Sequence, residues 1–133
     1  MWDVMRSHRP RTVFLERIEN GVGTGTPDVH AVATITAWFE LKAVRLPKRP
    51  TTRFFPRRAL RPAQVAWHIN YAAHGGRSFI VVQSDQRQMY LIPGHDAAIA
   101  RDMNCLTAAA NYAVSGWHAV FLRALGVQQG AAR

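Results

Sequence analysis

The chain has 133 residues, 48% of them hydrophobic, and this length suits one domain spanning residues 1–133 rather than two. Seventeen Lys and Arg residues against eight Asp and Glu residues give a formal net charge of +9, so the expected partner is a polyanion. The single cysteine, Cys105, excludes an intramolecular disulfide and a cysteine-based zinc site, and no apolar run reaches the roughly 18 residues of a membrane span.

The first part of the chain predicts one short helix followed by strands. Residues 1–9 suit a helix that ends before the first proline, because proline disfavours helical geometry in the residue ahead of it. Residues 12–20 are compatible with a strand or a helix, and the glycine-rich residues 21–27 predict a turn or loop. Two segments rich in β-branched and aromatic residues, at about 28–35 and 37–44, predict adjacent antiparallel strands.

A strongly basic segment follows at about 43–61. Its prolines favour an irregular loop, and it contains no acidic residue. Because arginine suits phosphate, we expect this loop to hold DNA. The expected DNA-binding residues are Arg45, Lys48, Arg49, Arg53, Arg57, Arg58 and Arg61. Phe54 and Phe55, between these cations, could contact DNA or could equally pin the loop to the domain.

The next segment predicts a helix from Pro62 to about His74, ended by two glycines. Its predicted buried stripe consists of Val65, Ile69, Ala72 and Ala73. We expect Trp67, on the same helix, and Trp38, on the second strand, to lie in the core rather than to stack on nucleobases.

The last part of the chain predicts a hairpin and further helices. Residues 78–83 and 89–93 are apolar strands around a polar turn, and about 95–103 is weakly helical. Apolar residues recurring at intervals of three and four predict a C-terminal helix at about 105–125, ended by Gly126 and loosened at Ser115-Gly116. The whole order predicts a mixed α/β domain around a small sheet.

Charged side chains interrupt the pair of apolar strands. Residues two apart in a strand point to the same face, so Glu40 and Lys42 should lie side by side. Asp28 begins the preceding strand, where an antiparallel neighbour can bring its carboxylate close to Glu40. The three residues could also be an exposed ion pair and a turn residue, because such pairs are common on surfaces.

Two carboxylates at close range repel each other unless a cation lies between them. Oxygen ligands without cysteine or paired histidine favour magnesium, which can polarise a phosphodiester and lower the pKa of a bound water. Lys42 could then orient the attacking water or stabilise the negative charge that develops on the phosphate. This arrangement, beside a basic loop, predicts a metal-dependent site.

Two segments resemble a known nuclease superfamily. Residues 25–42, GTPDVHAVATITAWFELK, resemble the core motif of the PD-(D/E)XK nucleases, with Pro27-Asp28 and Glu40-Leu41-Lys42 matching its two halves. Residues 60–84 resemble the virus-type replication-repair nuclease (VRR-NUC) branch, in which a helix carrying a glutamine follows the catalytic strands and a glycine-led strand comes next. The overall type is similar to small phage-type, Holliday-junction-resolvase-like nucleases. The resemblance implies a restriction-endonuclease-like α/β core, with a small mixed central sheet flanked by helices.

The same resemblance implies roles for individual residues. Asp28 and Glu40 would ligate Mg2+, for which Mn2+ could substitute, the carbonyl of Leu41 would assist, and Lys42 would be catalytic.

It also implies an upstream glutamate that completes the site, either Glu16 or Glu19, of which Glu19 is preferred because it lies nearer the glycine-rich loop. Gln64 matches the helix glutamine as a group that supports the ligands or contacts backbone. Some relatives place a tyrosine four residues later, where this chain has His68.

These features together predict a magnesium-dependent DNA endonuclease that hydrolyses phosphodiester bonds through a metal-activated water. The short form suits a phage or mobile-element protein in the cytoplasm, or the host cytoplasm, and such an enzyme could be selective for branched DNA. A homodimer would suit cleavage of two strands, although burial of the C-terminal helix within the monomer is the simpler arrangement. The alternative function is a non-catalytic nucleic-acid-binding module of a viral or mobile-element assembly.

Overall fold

A computed structural model of the chain describes residues 1–18 and 25–128. Its elements are α1 (Trp2–Ser7), β1 (Phe14–Arg17), β2 (Val29–Val32), β3 (Thr36–Val44), α2 (Pro62–Ala73), β4 (Ser78–Ser84), β5 (Met89–Pro93), a 3-10 turn (Gly94–Asp96), α3 (Ala97–Asp102), α4 (Cys105–Tyr112), β6 (Ala113–Val114) and α5 (Trp117–Leu125). Residues 12–20, for which the sequence left strand and helix open, contribute the strand β1.

The strands form one six-stranded sheet in the order β1-β2-β3-β4-β5-β6. Only β3 and β4 pair in parallel, and α2 supplies the crossover connection that a parallel pair requires. The other neighbouring strands are antiparallel. The predicted α/β class, with a small mixed central sheet flanked by helices, is confirmed.

Alternate residues of the central strands enter two separate hydrophobic clusters. On β4, Phe79 and Val81 join a cluster that includes α1 and α5, whereas Ile80 and Val82 join a cluster that includes α3 and α4. Glu40 pairs with Ile80 in the parallel register, so it lies on the second face, which α2 also covers. The candidate site therefore lies between the sheet and α2.

The predicted buried stripe of α2 is wrong for Ile69, which is 40% exposed, and for Ala73, which is exposed. Val65 packs against the second hydrophobic cluster and Ala72 is half-buried, as predicted. The fully buried residues of the helix are Gln64 and His68, because this part of α2 packs over the charged residues of β3.

The single C-terminal helix predicted at about 105–125 is also wrong. Val114 pairs with Met89, so residues 113–114 become a sixth strand between α4 and α5. Gly116 then adopts φ of 156°, where a side chain is disfavoured, at the point where the predicted helix was loosest. Pairing of residues 113–114 with β5 therefore interrupts the helix that the periodicity predicted.

Two tryptophans are less buried than expected, and two phenylalanines of the basic loop are fully buried. Trp38 and Trp67 are only partly buried and belong to neither hydrophobic cluster of the described residues, so the expectation that both lie in the core is wrong. Phe54 and Phe55 are 0% and 1% exposed. Of the two alternatives for Phe54 and Phe55, pinning the basic loop to the domain is therefore the one that the fold supports.

Replacing Phe54 with alanine should lower the free energy of unfolding by about 3–5 kcal/mol, because a buried ring is lost and a cavity remains. The Phe54 ring lies 4.8 Å from that of Tyr90, and its backbone N–H donates to the Met103 carbonyl at 2.9 Å. Urea unfolding measures the effect. Ile99→Ala, at a residue that is 64% exposed, is the matched control and should change stability by less than about 0.5 kcal/mol. An equally small effect at Phe54 would contradict its anchoring role.

Within the described residues, no helix is both long enough and apolar enough to cross a membrane.

Candidate active site

The antiparallel pairing of β2 and β3 brings Asp28 opposite Glu40. Val29 pairs with Phe39, so the register places Asp28 beside Glu40 one residue further along. The Asp28 side chain is held in place, because its Oδ2 accepts a hydrogen bond from the Leu41 backbone N–H at 2.8 Å. Its carbonyl accepts from the Ile18 N–H at 2.7 Å, which ties it to the end of β1 as well.

Glu40 is a buried carboxylate with one oxygen left open. Only 3% of the residue is exposed. Its Oε2 accepts from Gln64 Nε2 at 3.1 Å and lies 3.5 Å from the ammonium of Lys42, whereas Oε1 has no hydrogen-bond partner among residues 1–18 and 25–128. Burial and the negative charge of Asp28 raise the pKa of Glu40 to about 8, and Lys42 offsets only part of this rise.

Gln64 connects the parts of the site. Its Oε1 accepts from Lys42 Nζ at 3.1 Å and from the Arg61 backbone N–H at 3.0 Å, while its amide nitrogen donates to Glu40. Lys42 and Glu40 are therefore held by one amide, which also closes the first turn of α2. The backbone contact expected for Gln64 is the bond to Arg61, at the end of the basic loop.

The chain before Asp28 packs directly against the start of α2. Gly25 has φ of 90°, and a Cβ at this position would collide with the Ala63 carbonyl. The absence of a side chain thus lets the loop that carries Asp28 approach the helix that carries Gln64.

His68 was not expected to take part in the site, but it lies one turn after Gln64 on the buried face of α2. It is 0% exposed, and its Nδ1 lies 2.7 Å from the Ser78 hydroxyl, while Nε2 has no hydrogen-bond partner within the described part of the chain. A Cβ on Gly94 would collide with that same hydroxyl. Burial, with a smaller contribution from the charge of Lys42, lowers the pKa of His68 to about 4. The only sequence signal was its spacing of four residues from Gln64.

The lowered pKa of His68 predicts a loss of stability in acid. Between pH 6.5 and about 4, His68 is protonated in the unfolded chain but neutral in the folded one. Its contribution to the free energy of unfolding is therefore present above pH 6.5 and is lost as the pH falls to about 4. The difference in free energy of unfolding between the unmodified protein and His68→Gln should therefore shrink by about 3 kcal/mol from pH 7 to pH 4. Urea unfolding at both pH values measures it. His118→Gln, on the exposed side of α5, is the control, and a difference independent of pH at His68 would contradict the prediction.

Of the two candidates for an upstream acid, the structure describes only Glu16. Glu16 is exposed and pairs with His30, two residues along β2 from Asp28, whereas Ile18, just after β1, donates its backbone N–H to the Asp28 carbonyl. Glu19 lies outside the described residues.

The basic residues expected to bind DNA are all exposed: Arg45, Lys48, Arg49, Arg53, Arg57, Arg58 and Arg61. Arg53 is also used within the fold, because its guanidinium donates to the Arg101 carbonyl and to Asp102, each at 3.0 Å. Arg58 adopts φ of 78°, a left-handed conformation within the loop. The loop thus presents a cationic surface that meets the candidate site at Arg61.

The donor set is compatible with a divalent cation. Asp28 and Glu40 supply carboxylate oxygens, and the unpartnered Oε1 of Glu40 is a buried acceptor that a cation would satisfy. Asp28 and Leu41 line an open cavity of about 290 Å³ together with Met1 and Trp2, and Glu40 is not among its lining residues. Among residues 1–18 and 25–128, no group of three or more His, Cys, Asp or Glu side chains is placed to hold a metal ion.

Comparison with known proteins identifies no family. No family model matches the chain, and no curated protein matches it. Among solved structures, the chain is similar to Archaeoglobus fulgidus Hjc, a Holliday junction resolvase from an archaeal hyperthermophile, with a TM-score of 0.46 and 13% identity over 70% of this chain and 68% of that one.

Proposed function

We propose that this protein is a metal-dependent deoxyribonuclease that hydrolyses phosphodiester bonds, with Asp28 and Glu40 as the ligands of Mg2+. The observation that carries the proposal is the buried Glu40 carboxylate, which lies beside Asp28 and keeps one oxygen without a partner among the described residues. When both carboxylates are ionised, the ammonium of Lys42 balances only one of the two negative charges, and a divalent cation would supply the missing positive charge. Mn2+ should substitute, because it accepts the same oxygen ligands.

A magnesium ion bound by these carboxylates supplies positive charge and Lewis acidity for the attack of water on phosphorus. In the proposed reaction the water oxygen bonds to phosphorus, the bond to one sugar oxygen breaks, and that oxygen takes up a proton. Lys42, whose ammonium lies 3.5 Å from Glu40, would donate to a phosphate oxygen as the negative charge on the phosphate grows. Gln64 keeps the lysine and the glutamate in register, because one amide binds both. The Leu41 amide orients Asp28, and a ligand role for the Leu41 carbonyl is part of the proposal.

The basic loop would hold the DNA backbone independently of sequence. Its cations are exposed, and Arg61 begins the helix that carries Gln64, so phosphates bound along the loop would lie close to the site. Each phosphate contact makes the affinity fall with rising salt, so binding should be strongly salt-dependent.

The proposal is tested by incubating the protein with linear duplex, single-stranded and four-way-junction DNA. Each substrate is given magnesium, manganese or a chelator. Cleavage should require metal, and Asp28→Asn should lose it while still binding DNA. Preference for the junction would extend the proposal to branched DNA. Binding without cleavage of any substrate in any metal would overturn the nuclease and leave the non-catalytic binding module.

The upstream acid is assigned by a matched pair of variants. We expect Glu19→Gln to weaken metal binding and cleavage more than Glu16→Gln, because Glu16 pairs with His30, two residues along β2 from Asp28. The reverse order would assign the ligand to Glu16.

A further inference from the structure

Four rings form a continuous row on the sheet face that carries the candidate site. The His30 and Trp38 centroids lie 4.6 Å apart, those of Trp38 and Trp67 5.8 Å, and those of Trp67 and Tyr71 4.7 Å. We call these four residues the aromatic strip. Each is partly exposed, and none belongs to either hydrophobic cluster of the described residues. The strip is therefore a partly exposed surface outside both hydrophobic clusters.

The strip begins next to the proposed metal ligands. Trp38 is two residues before Glu40 on β3, so both lie on the same face, about 7 Å apart along the strand. Trp67 follows Gln64 by three residues on α2, which places both on neighbouring positions of that helix. A strand of DNA held at Glu40 would pass onto the strip within a short distance.

The other end of the strip opens into a cavity. Tyr71 lines a depression of about 490 Å³ together with Thr34, Thr36, His74 and Arg77. Gly76 packs against the Tyr71 ring so closely that a Cβ would collide with it, which holds the ring in place. This end combines a ring face with hydroxyl and cationic groups. A nucleotide can contact all of these, because it carries a base, hydroxyl groups and a phosphate.

We propose that the aromatic strip stacks unpaired nucleobases of the DNA strand whose backbone lies at Asp28 and Glu40; this rests on the proposed function. Every base has a π-face, so stacking on rings needs no particular sequence but does need an unpaired base. The net charge of +9 attracts the strand, and the rings then select its single-stranded form over duplex.

Binding assays in chelator test the strip without cleavage. We expect Trp67→Leu or Trp38→Leu to weaken binding of a labelled oligothymidine about tenfold, and to change duplex binding less than about twofold. Because no phosphate contact is removed, the slope of log affinity against log salt should stay the same, whereas Arg57→Ala should reduce that slope on both DNAs. Trp67→Phe, which keeps a ring, should retain most of the affinity. Ile69→Ala, on the same helix and 40% exposed, is the matched control and should bind like the unmodified protein.

Three results would overturn the proposal: no loss on oligothymidine, an equal loss on duplex, or a change in the solution mass of Trp67→Leu, which would assign the strip to contact between copies of the chain. Circular dichroism confirms that each variant is folded. Cleavage by the unmodified protein without any effect of the tryptophan variants on binding would overturn the strip alone. Stacking without cleavage would overturn the nuclease alone.

Discussion

Glu40→Gln should reduce DNA cleavage by about a thousandfold or more, because it removes the charge of a proposed metal ligand from the centre of the candidate site. Isothermal titration should show that magnesium binding is lost as well. The substitution keeps the shape of the side chain, and the glutamine oxygen can still accept from Gln64. We therefore expect the variant to fold and to bind DNA normally, so that the loss lies in the metal and in the chemical step.

The control for Glu40 is a remote change of the same charge. Asp3→Asn removes a carboxylate that is 84% exposed and should leave cleavage within about twofold. Cleavage by Glu40→Gln at the rate of the unmodified protein would refute Glu40 as a ligand.

The raised pKa of Glu40 adds a pH dependence with a definite sign. Between 4.5 and about 8 the folded carboxyl keeps a proton that the unfolded one has lost, so stability without metal should fall as the pH rises through this window. The total should be a few kcal/mol, at about 1.4 kcal/mol per pH unit. Urea unfolding in chelator at pH 6.5 and pH 8, above the window in which His68 titrates, should show this fall in the unmodified protein but not in Glu40→Gln. Saturating magnesium should restore the stability at pH 8, because it binds the folded state alone.

Lys42→Met should reduce cleavage at saturating DNA by about a hundredfold to a thousandfold, the usual cost of removing one donor aimed at developing charge. Methionine retains the aliphatic stem but removes the ammonium that lies 3.5 Å from Glu40 and 3.1 Å from Gln64. Magnesium binding should be retained, since the variant removes a positive charge from the vicinity of the ligands. Single-turnover kinetics at saturating DNA measure the chemical step directly.

Lys48→Met provides the matched control, because it deletes the same charge from an exposed lysine of the basic loop. It should weaken DNA binding and reduce its salt dependence, but leave cleavage of bound DNA unchanged. If the two lysine variants behave alike, Lys42 acts only as one more cation.

Much of the site was predictable because its signals are local. Strand alternation puts Glu40 and Lys42 on one face whatever the rest of the chain does, and antiparallel pairing of the next segment brings Asp28 opposite. Proline at the first position of α2 and glycine after its end likewise mark the bounds of that helix from the sequence alone.

The environment of these residues was decided by tertiary structure. Gln64 reaches Lys42 and Glu40 across 22 and 24 residues of sequence, a contact that depends on how α2 returns over the sheet. Helical periodicity identifies apolar stripes, so it found Val65, which packs against the second hydrophobic cluster, but it missed Gln64 and His68, which are buried over the charged residues of β3.

The positions of the aromatic residues were also decided by tertiary structure. Composition cannot distinguish a ring that fills the core from one at its edge, and only the packing shows that Phe54 is buried and Trp38 is partly exposed. The sequence by itself determined which chemical groups are available and which strand face carries them. The burial that raises the pKa of Glu40 was decided by the tertiary structure, because it requires segments distant in sequence to exclude water from the carboxylate together.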